Sequence, residues 1–332
     1  MTAGQPVRMV GFVSPRTGAA LWREGETLVS VAGERVPVVR SIPRFVSSDN
    51  YTAPFGLQWN AHSETQLDSR TNATLSRERL ERCLGMPLSQ LAGKRVLEAG
   101  CGAGRFTELL LKAGALVHAV DLSSAVEANR RNVGDPPPQN YLIAQADLRD
   151  LPFPAKMFDL VLCLGVLQHT PSPESSIANL WRMVAPGGSL VIDHYSWTLS
   201  RLTKLTPLYR EILKRMPPAK AKRITDGLVD VFFPLHWAVR RAPALQALLS
   251  RVSPCLSYCH KYPQLTRAQH KDWCRLDTYD ELTDWFKRLR TAAQIRRTLE
   301  GLGGLQIQAV RMRGVIEARC RKAQEVGASC VA

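Results

Sequence analysis

The chain has 332 residues, 45% of them hydrophobic and 22% charged, with a formal net charge of +15. This is a globular composition, long enough for one large core plus appendages, and it excludes collagen-like and low-complexity chains. No apolar run approaches the ~18 residues of a membrane span. Residues 1–10 lack a basic start followed by an apolar stretch, so no signal peptide is expected and the cytoplasm is the expected compartment.

The charge is unevenly placed. Residues 1–195 hold 19 Lys/Arg against 18 Asp/Glu, whereas residues 196–332 hold 25 against 11. Such a field can attract nucleic acid, anionic lipid headgroups or an acidic substrate, or can simply be a solvated surface. Eight cysteines are scattered at 83, 101, 163, 255, 259, 274, 320 and 330. Without regular spacing they read as reduced thiols rather than a disulfide framework.

Taken in order, residues 1–45 alternate apolar pairs with turn residues, and 28–31 and 36–39 predict short strands. Residues 46–92 are mixed, with a helix over 76–84. From Lys94 the pattern becomes regular. Strands are predicted over 95–99, 116–120, 141–144, 158–164 and 189–195. Helices are predicted over 105–113, from a cap at Ser123 to Val133, and over 173–184. This alternation predicts a doubly wound parallel sheet with right-handed crossovers. Residues 196–276 interrupt it with a basic, aromatic-containing helical insertion. A helix over 291–302 and strands over 305–310 and 315–320 then resume the sheet.

The first strand runs into Glu98-Ala99-Gly100-Cys101-Gly102-Ala103-Gly104. Glycines at a strand end let a ligand approach the backbone closely. The dinucleotide pattern G-x-G-x-x-G fails because Arg105 stands at its last position, and no P-loop is present. What remains is an acidic residue followed by G-x-G-x-G.

That run resembles motif I of the class I S-adenosylmethionine-dependent methyltransferases. Further matches follow in family order: Asp121-Leu122 after strand two, Asp147-Leu148 after strand three, Leu164 to Thr170 after strand four, and the turn Ala185 to Leu190 into strand five. The resemblance covers about 93–195 and 291–322. It implies a seven-stranded Rossmann-like sheet and S-adenosylmethionine as cofactor. It implies cofactor contacts from Glu98, Gly100, Cys101, Gly102, Asp121, Leu122, Asp147, Leu148, Gly165 and Gln168, with Asp121 on the ribose and Asp147 near the adenine amine. Two adjacent ribose hydroxyls suit one carboxylate.

A second resemblance, carried by residues 42–45 and 51–68, is to a bacterial methyltransferase subgroup with an N-terminal zinc-ribbon-like module. The ribbon cysteines would align near Ser14, Thr17, Val29 and Ala32, so no metal is expected there. Segment 51–68 is expected to cover the cofactor, with Gln58, Trp59 and Gln66 as contacts; Phe55 and Trp59 equally suit an interface core. The implied organisation is a β module over 1–46, cover helices over 47–92, the core over 93–195, a lid over 196–276 and the closing elements over 277–332. Cys255, Cys259, His270 and Cys274 have spacing unlike common zinc sites, and buried thiols are the plainer reading.

Methyl transfer requires alignment of acceptor and methyl with water excluded, and for an oxygen acceptor a base. His194, then His169 and Tyr195, are the candidates. His236, Trp237, His260, Tyr262 and Trp273 are expected to line the acceptor pocket, and Asp277 to Asp280 to line or hinge it. The expected partner is a small-molecule acceptor. RNA methylation through the basic C-terminal part and a non-catalytic cofactor-binding scaffold are the alternatives. The sequence does not specify an oligomeric state.

Overall fold

In the computed structural model, residues 7–47, 50–198, 203–312 and 314–325 are described. Five antiparallel strands come first: β1 (Val7–Val13), β2 (Ala20–Glu24), β3 (Thr27–Ser30), β4 (Arg35–Val39) and β5 (Ile42–Pro43), paired in chain order. Where the ribbon resemblance would place a cysteine, Ser14 Oγ accepts the N–H groups of Arg16 (3.2 Å) and Thr17 (3.1 Å) and donates to Glu34. The turn is thus closed by hydrogen bonds from a serine. A small antiparallel sheet is present, while the zinc-ribbon likeness itself has no support.

Three helices follow, α1 (Ala53–Ala61), α2 (Asp68–Thr71) and α3 (Leu75–Leu84). The main sheet holds β6 (Arg95–Ala99), β7 (Leu116–Asp121), β8 (Tyr141–Gln145), β9 (Phe158–Cys163), β10 (Val184–Tyr195), β11 (Leu305–Met312) and β12 (Val315–Arg321). Their order is β11-β12-β10-β9-β6-β7-β8, with β12 antiparallel to both neighbours. Helices α4 (Thr107–Lys112), α5 (Ala125–Val133) and α6 (Pro173–Met183) are the crossovers, and α11 (Ala292–Gly301) precedes β11. The expected seven-stranded doubly wound fold is therefore present. β10 begins at Val184, earlier than expected, because its pairing with β9 is irregular between Val184 and Ser189.

The buried strands explain the core. Leu97, Val120, Val161 and Ile192 lie on one side with Ile295 and Ile316, and Val96, Val117, Leu160 and Val191 lie on the other with Leu80 and Leu110. Alternating side chains on strands buried on both faces give two apolar layers. The small sheet packs on the β8 edge. The Phe45 N–H donates to the Gln145 carbonyl (2.8 Å), Arg44 pairs with Glu127 (2.8 Å), and Phe12 stacks on Phe153 at 5.5 Å.

The insertion contains α7 (Thr206–Leu213), α8 (Pro218–Ala238), α9 (Pro243–Val252) and α10 (Arg267–Thr283). The lid was expected to end at 276, but α10 runs unbroken to Thr283. A capping box closes its N-terminus: Thr266 accepts from the Gln269 N–H and Gln269 returns the bond. The buried Leu276, Tyr279 and Leu282 sustain its inner face. Cys255, Cys259 and Cys274 pack with Val229 and Phe233. Among the described residues no group of three or more metal-ligating side chains gathers, and seven buried cysteines are free thiols; Cys330 lies outside these residues.

Candidate functional site

The chain order reverses between β6 and β9, and a ligand crevice is expected beyond the strand ends at such a point. A cavity of about 700 Å³ opens there. Its floor is the glycine loop after β6. Gly100 has φ +81°, and a Cβ there would fall 2.1 Å from Val166 Cγ2, so only glycine fits. At Gly102, φ +49°, the Trp59 ring lies 3.5 Å from the corresponding position.

Three strand-end carboxylates organise this floor. Asp121 Oδ2 accepts the Gly102 N–H (2.9 Å), and Oδ1 accepts both the Ser123 N–H (2.8 Å) and hydroxyl (2.6 Å). Burial raises its pKa against those bonds. Asp193 Oδ1 accepts the Gly165 N–H (2.6 Å), and its other oxygen pairs with Arg79, anchoring the β9 loop to β10. Asp147 is gripped by Arg149, whose Nε lies 3.1 Å from both oxygens.

Of the expected cofactor contacts, Gly100, Cys101, Gly102, Asp121, Leu122, Asp147, Leu148, Gly165, Gln58 and Gln66 line the cavity. Glu98 and Gln168 do not. Glu98 turns beneath the loop, where the Thr107 hydroxyl donates to it (2.6 Å) and burial pushes its pKa up to about 8. Gln168 is buried behind the short 3₁₀ turn Leu167–His169, which directs His169 to the cavity instead.

The expected bases divide by strand alternation. Asp193 and Tyr195 face the cavity side of β10, so His194 between them points away, with Nδ1 3.0 Å from the Tyr195 carbonyl oxygen and Arg290 and Glu174 nearby. His194 is therefore not in the site. His169 and Tyr195 are, with their rings edge-to-face at 5.4 Å. His169 Nδ1 lies 3.2 Å from Asp284 Oδ2, and Nε2 lies 3.9 Å from Asp280 Oδ2. Burial acts to lower the His169 pKa, but Asp280 and Asp284 outweigh it and leave it raised. Burial raises Asp280 to about 6, and its Oδ1 has no protein partner. Asp284 is lowered: Lys287, His169 and Arg210 together overcome its burial.

The opposite wall comes from the insertion. Tyr262 stacks on Trp273 at 5.3 Å, Tyr258 lies 5.9 Å from Tyr262, and Trp273 Nε1 donates to Asp277 (3.0 Å). Tyr262 and Trp273 thus line the pocket as expected, whereas His236, Trp237 and His260 do not. His236 is buried between Gln246 (2.8 Å) and Ser253 (2.9 Å); Trp237 packs on Phe233 and His270; His260 is exposed outside the cavity. One helix face cannot turn every aromatic residue inward.

Arg79, Arg105, Tyr258 and Lys261 also line the cavity and escaped the sequence reading. Arg105 donates to Gln66 (2.7 Å) and Ser76 (2.9 Å), with its guanidinium 5.5 Å from the Trp273 ring. Burial lowers its pKa to about 10. Its position after the glycine run was the available signal, since there it replaces the last glycine of a dinucleotide loop.

The sheet order, glycine loop and strand-end carboxylates make a doubly wound core with a ligand crevice at its switch point. Residues 97–192 match a family model described as "Methyltransferase domain". Relatives include the "Ubiquinone biosynthesis O-methyltransferase" of Coxiella burnetii (strain RSA 493 / Nine Mile phase I), 36% identical over 100 residues, or 30% of this chain and 43% of that protein. That of Pseudomonas entomophila (strain L48) is 36% identical over 104 residues, covering 30% and 44%. The match thus spans under half of these relatives. Among solved structures, the magnesium protoporphyrin IX methyltransferase of Synechocystis PCC 6803 is 17% identical with a TM-score of 0.41, covering 81% of this chain and 84% of that one. An S-adenosylmethionine-dependent methyltransferase from Mesorhizobium loti gives 16%, 0.43, 74% and 98%.

Proposed function

We propose that the protein is an S-adenosylmethionine-dependent O-methyltransferase acting on a small-molecule acceptor. The supporting observation is one cavity that joins the glycine loop and Asp121 to an aromatic wall and to a carboxylate oxygen without a protein partner, Asp280 Oδ1. The relatives' O-methylation and the cavity's enclosure by Tyr258, Tyr262 and Trp273 favour a small acceptor over RNA.

The residues present fit the cofactor. Gly100 and Gly102 line the floor without side chains, Asp121 Oδ2, with one bond made, keeps a lone pair for a ribose hydroxyl, and Asp147 serves the adenine end. Gln58 donates to the Leu276 carbonyl (3.0 Å), and its buried Oε1 lacks a partner, leaving an acceptor for an amine or hydroxyl. When bound, S-adenosylmethionine supplies a sulfonium-activated methyl, whose carbon–sulfur bond breaks as the carbon–oxygen bond forms.

Asp280 takes the proton of the acceptor hydroxyl. Asp280 and Asp284 favour the protonated form of His169, and its charge beside Asp280 in turn favours the ionised Asp280 carboxylate. Tyr258, Tyr262 and Trp273 orient the acceptor and exclude water. Calorimetric titration with S-adenosylmethionine and S-adenosylhomocysteine, beside Asp121→Ala, is the first test. Binding by the wild type that is lost in the variant supports the reading; no binding by the wild type refutes it. An acceptor screen then separates an enzyme from a scaffold.

A further inference from the structure

The helices of the insertion carry exposed apolar stripes that methyl transfer does not use. Each helix there has its inner contacts. Arg210 of α7 bonds Asp284 (2.6 Å), Asp230 of α8 pairs with Arg275 of α10 (2.8 Å), and Gln246 of α9 bonds His236 of α8 (2.8 Å). Facing solvent are Leu208 (64% exposed) and Ile212 (61%) on α7, Val231 (65%) and Leu235 on α8, and Leu245 and Leu248 (61%) on α9. Spacings of three or four residues place each pair on one face of its helix. The Leu205 N–H donates to the Arg251 carbonyl (2.8 Å), joining the start of α7 to the end of α9. Of the seventeen large exposed hydrophobic residues among the described ones, nine fall between 205 and 252, so the exposure is concentrated rather than scattered.

The same stretch, 203–252, holds ten Lys/Arg and three Asp/Glu. Lys220, Arg223, Arg241 and Arg251 are exposed beside the apolar stripes. We propose that this face docks on an anionic membrane surface, with the leucine, isoleucine and valine side chains entering the headgroup boundary while the cations meet lipid phosphates. Charge decides among occupants. A second copy would set one strongly basic face against another, and a nucleic acid would leave branched apolar side chains against phosphates. Among the described residues no helix is long and apolar enough to cross a membrane, so the contact is an in-plane one.

The test is co-sedimentation of the full chain with phosphatidylcholine vesicles and with phosphatidylcholine–phosphatidylglycerol vesicles. Binding is expected on the anionic vesicles and is weakened by salt. Leu208→Ser with Leu248→Ser lowers the partition on the order of tenfold. Arg223→Glu with Arg241→Glu lowers it by roughly fivefold per site or more. All four side chains are exposed, and an unchanged thermal melt verifies each variant's fold. The proposal is overturned if the wild type ignores anionic vesicles or if the serine variant binds as the wild type does. It also fails if the wild type instead self-associates through the leucines, or binds single-stranded RNA and not vesicles. No turnover is needed, so the outcome is independent of the methyl-transfer reading.

Discussion

The two ends of the cavity are built from different materials. At the strand-end side the contacts are main-chain ones: the Gly100 N–H donates to the Val120 carbonyl (2.7 Å), and Gly102 and Gly165 donate to buried carboxylates. At the helical side the wall consists of side chains, with Tyr262 stacked on Trp273 and Arg105 lying over the same indole. Main-chain contacts depend on φ, ψ and the absence of a Cβ, whereas side-chain walls depend on residue identity. The first end is thus set by the fold, and in the function proposed here the second selects the acceptor. Asp280 stands where they meet.

The largest expected effect comes at that junction. Asp280→Asn removes the proposed proton acceptor while keeping shape, and kcat should fall by roughly 10²–10⁴. In the proposed mechanism the active form is the ionised carboxylate, which burial holds back to about 6. Wild-type activity should therefore rise with pH through that value. His194→Gln, on the opposite face of β10, should leave kcat unchanged. Full activity in Asp280→Asn would move the base elsewhere.

Cofactor binding sharpens the contrast. Asp121→Ala should weaken S-adenosylmethionine on the order of a hundredfold, as expected for losing one charge-assisted bond together with the carboxylate that holds the Gly102 N–H. Gly100→Ala should do at least as much, because its Cβ would enter Val166. Calorimetry reads both. At the other end, Trp273→Phe keeps a ring but loses the bond to Asp277 (3.0 Å). Acceptor KM should rise up to about tenfold while cofactor affinity stays constant. Equal losses of cofactor affinity in Trp273→Phe and Asp121→Ala would end the division of labour.

That division also explains what was legible beforehand. Glycine runs, alternating apolar segments and strand-end acids are local signals, so the seven-stranded sheet and the strand-end lining of the cavity followed from the sequence. Glu98 and Gln168 lie outside the cavity lining because a strand or turn residue can point to either side, and the spacing matched both. His194 failed by one position of a two-residue alternation. In the insertion, aromatic and histidine content gave no direction. His236 and Trp237 became helix-packing groups, while Tyr258, Arg79 and Arg105 reached the cavity through contacts between segments far apart in sequence. Asp280 was legible only as part of a four-residue stretch after the expected lid.

A change in stability alone separates loss of the site from loss of the fold. His118 lies on β7, the strand that ends in Asp121, but buried between Phe153 and Phe158 with ring centroids 5.5 and 5.1 Å away. Burial lowers its pKa to about 4, so the folded protein holds it neutral. The unfolded chain takes up a proton near the ordinary histidine value of about 6.5. The stability contributed by the neutral ring is complete above that value and is lost as pH falls toward 4, up to about 3 kcal/mol. His118→Leu has no proton to gain. Its urea midpoint should fall less than the wild type's between these pH values, while the activity limb set by Asp280 stays in place. Parallel midpoints in the two proteins would mean that His118 is not the source of acid sensitivity.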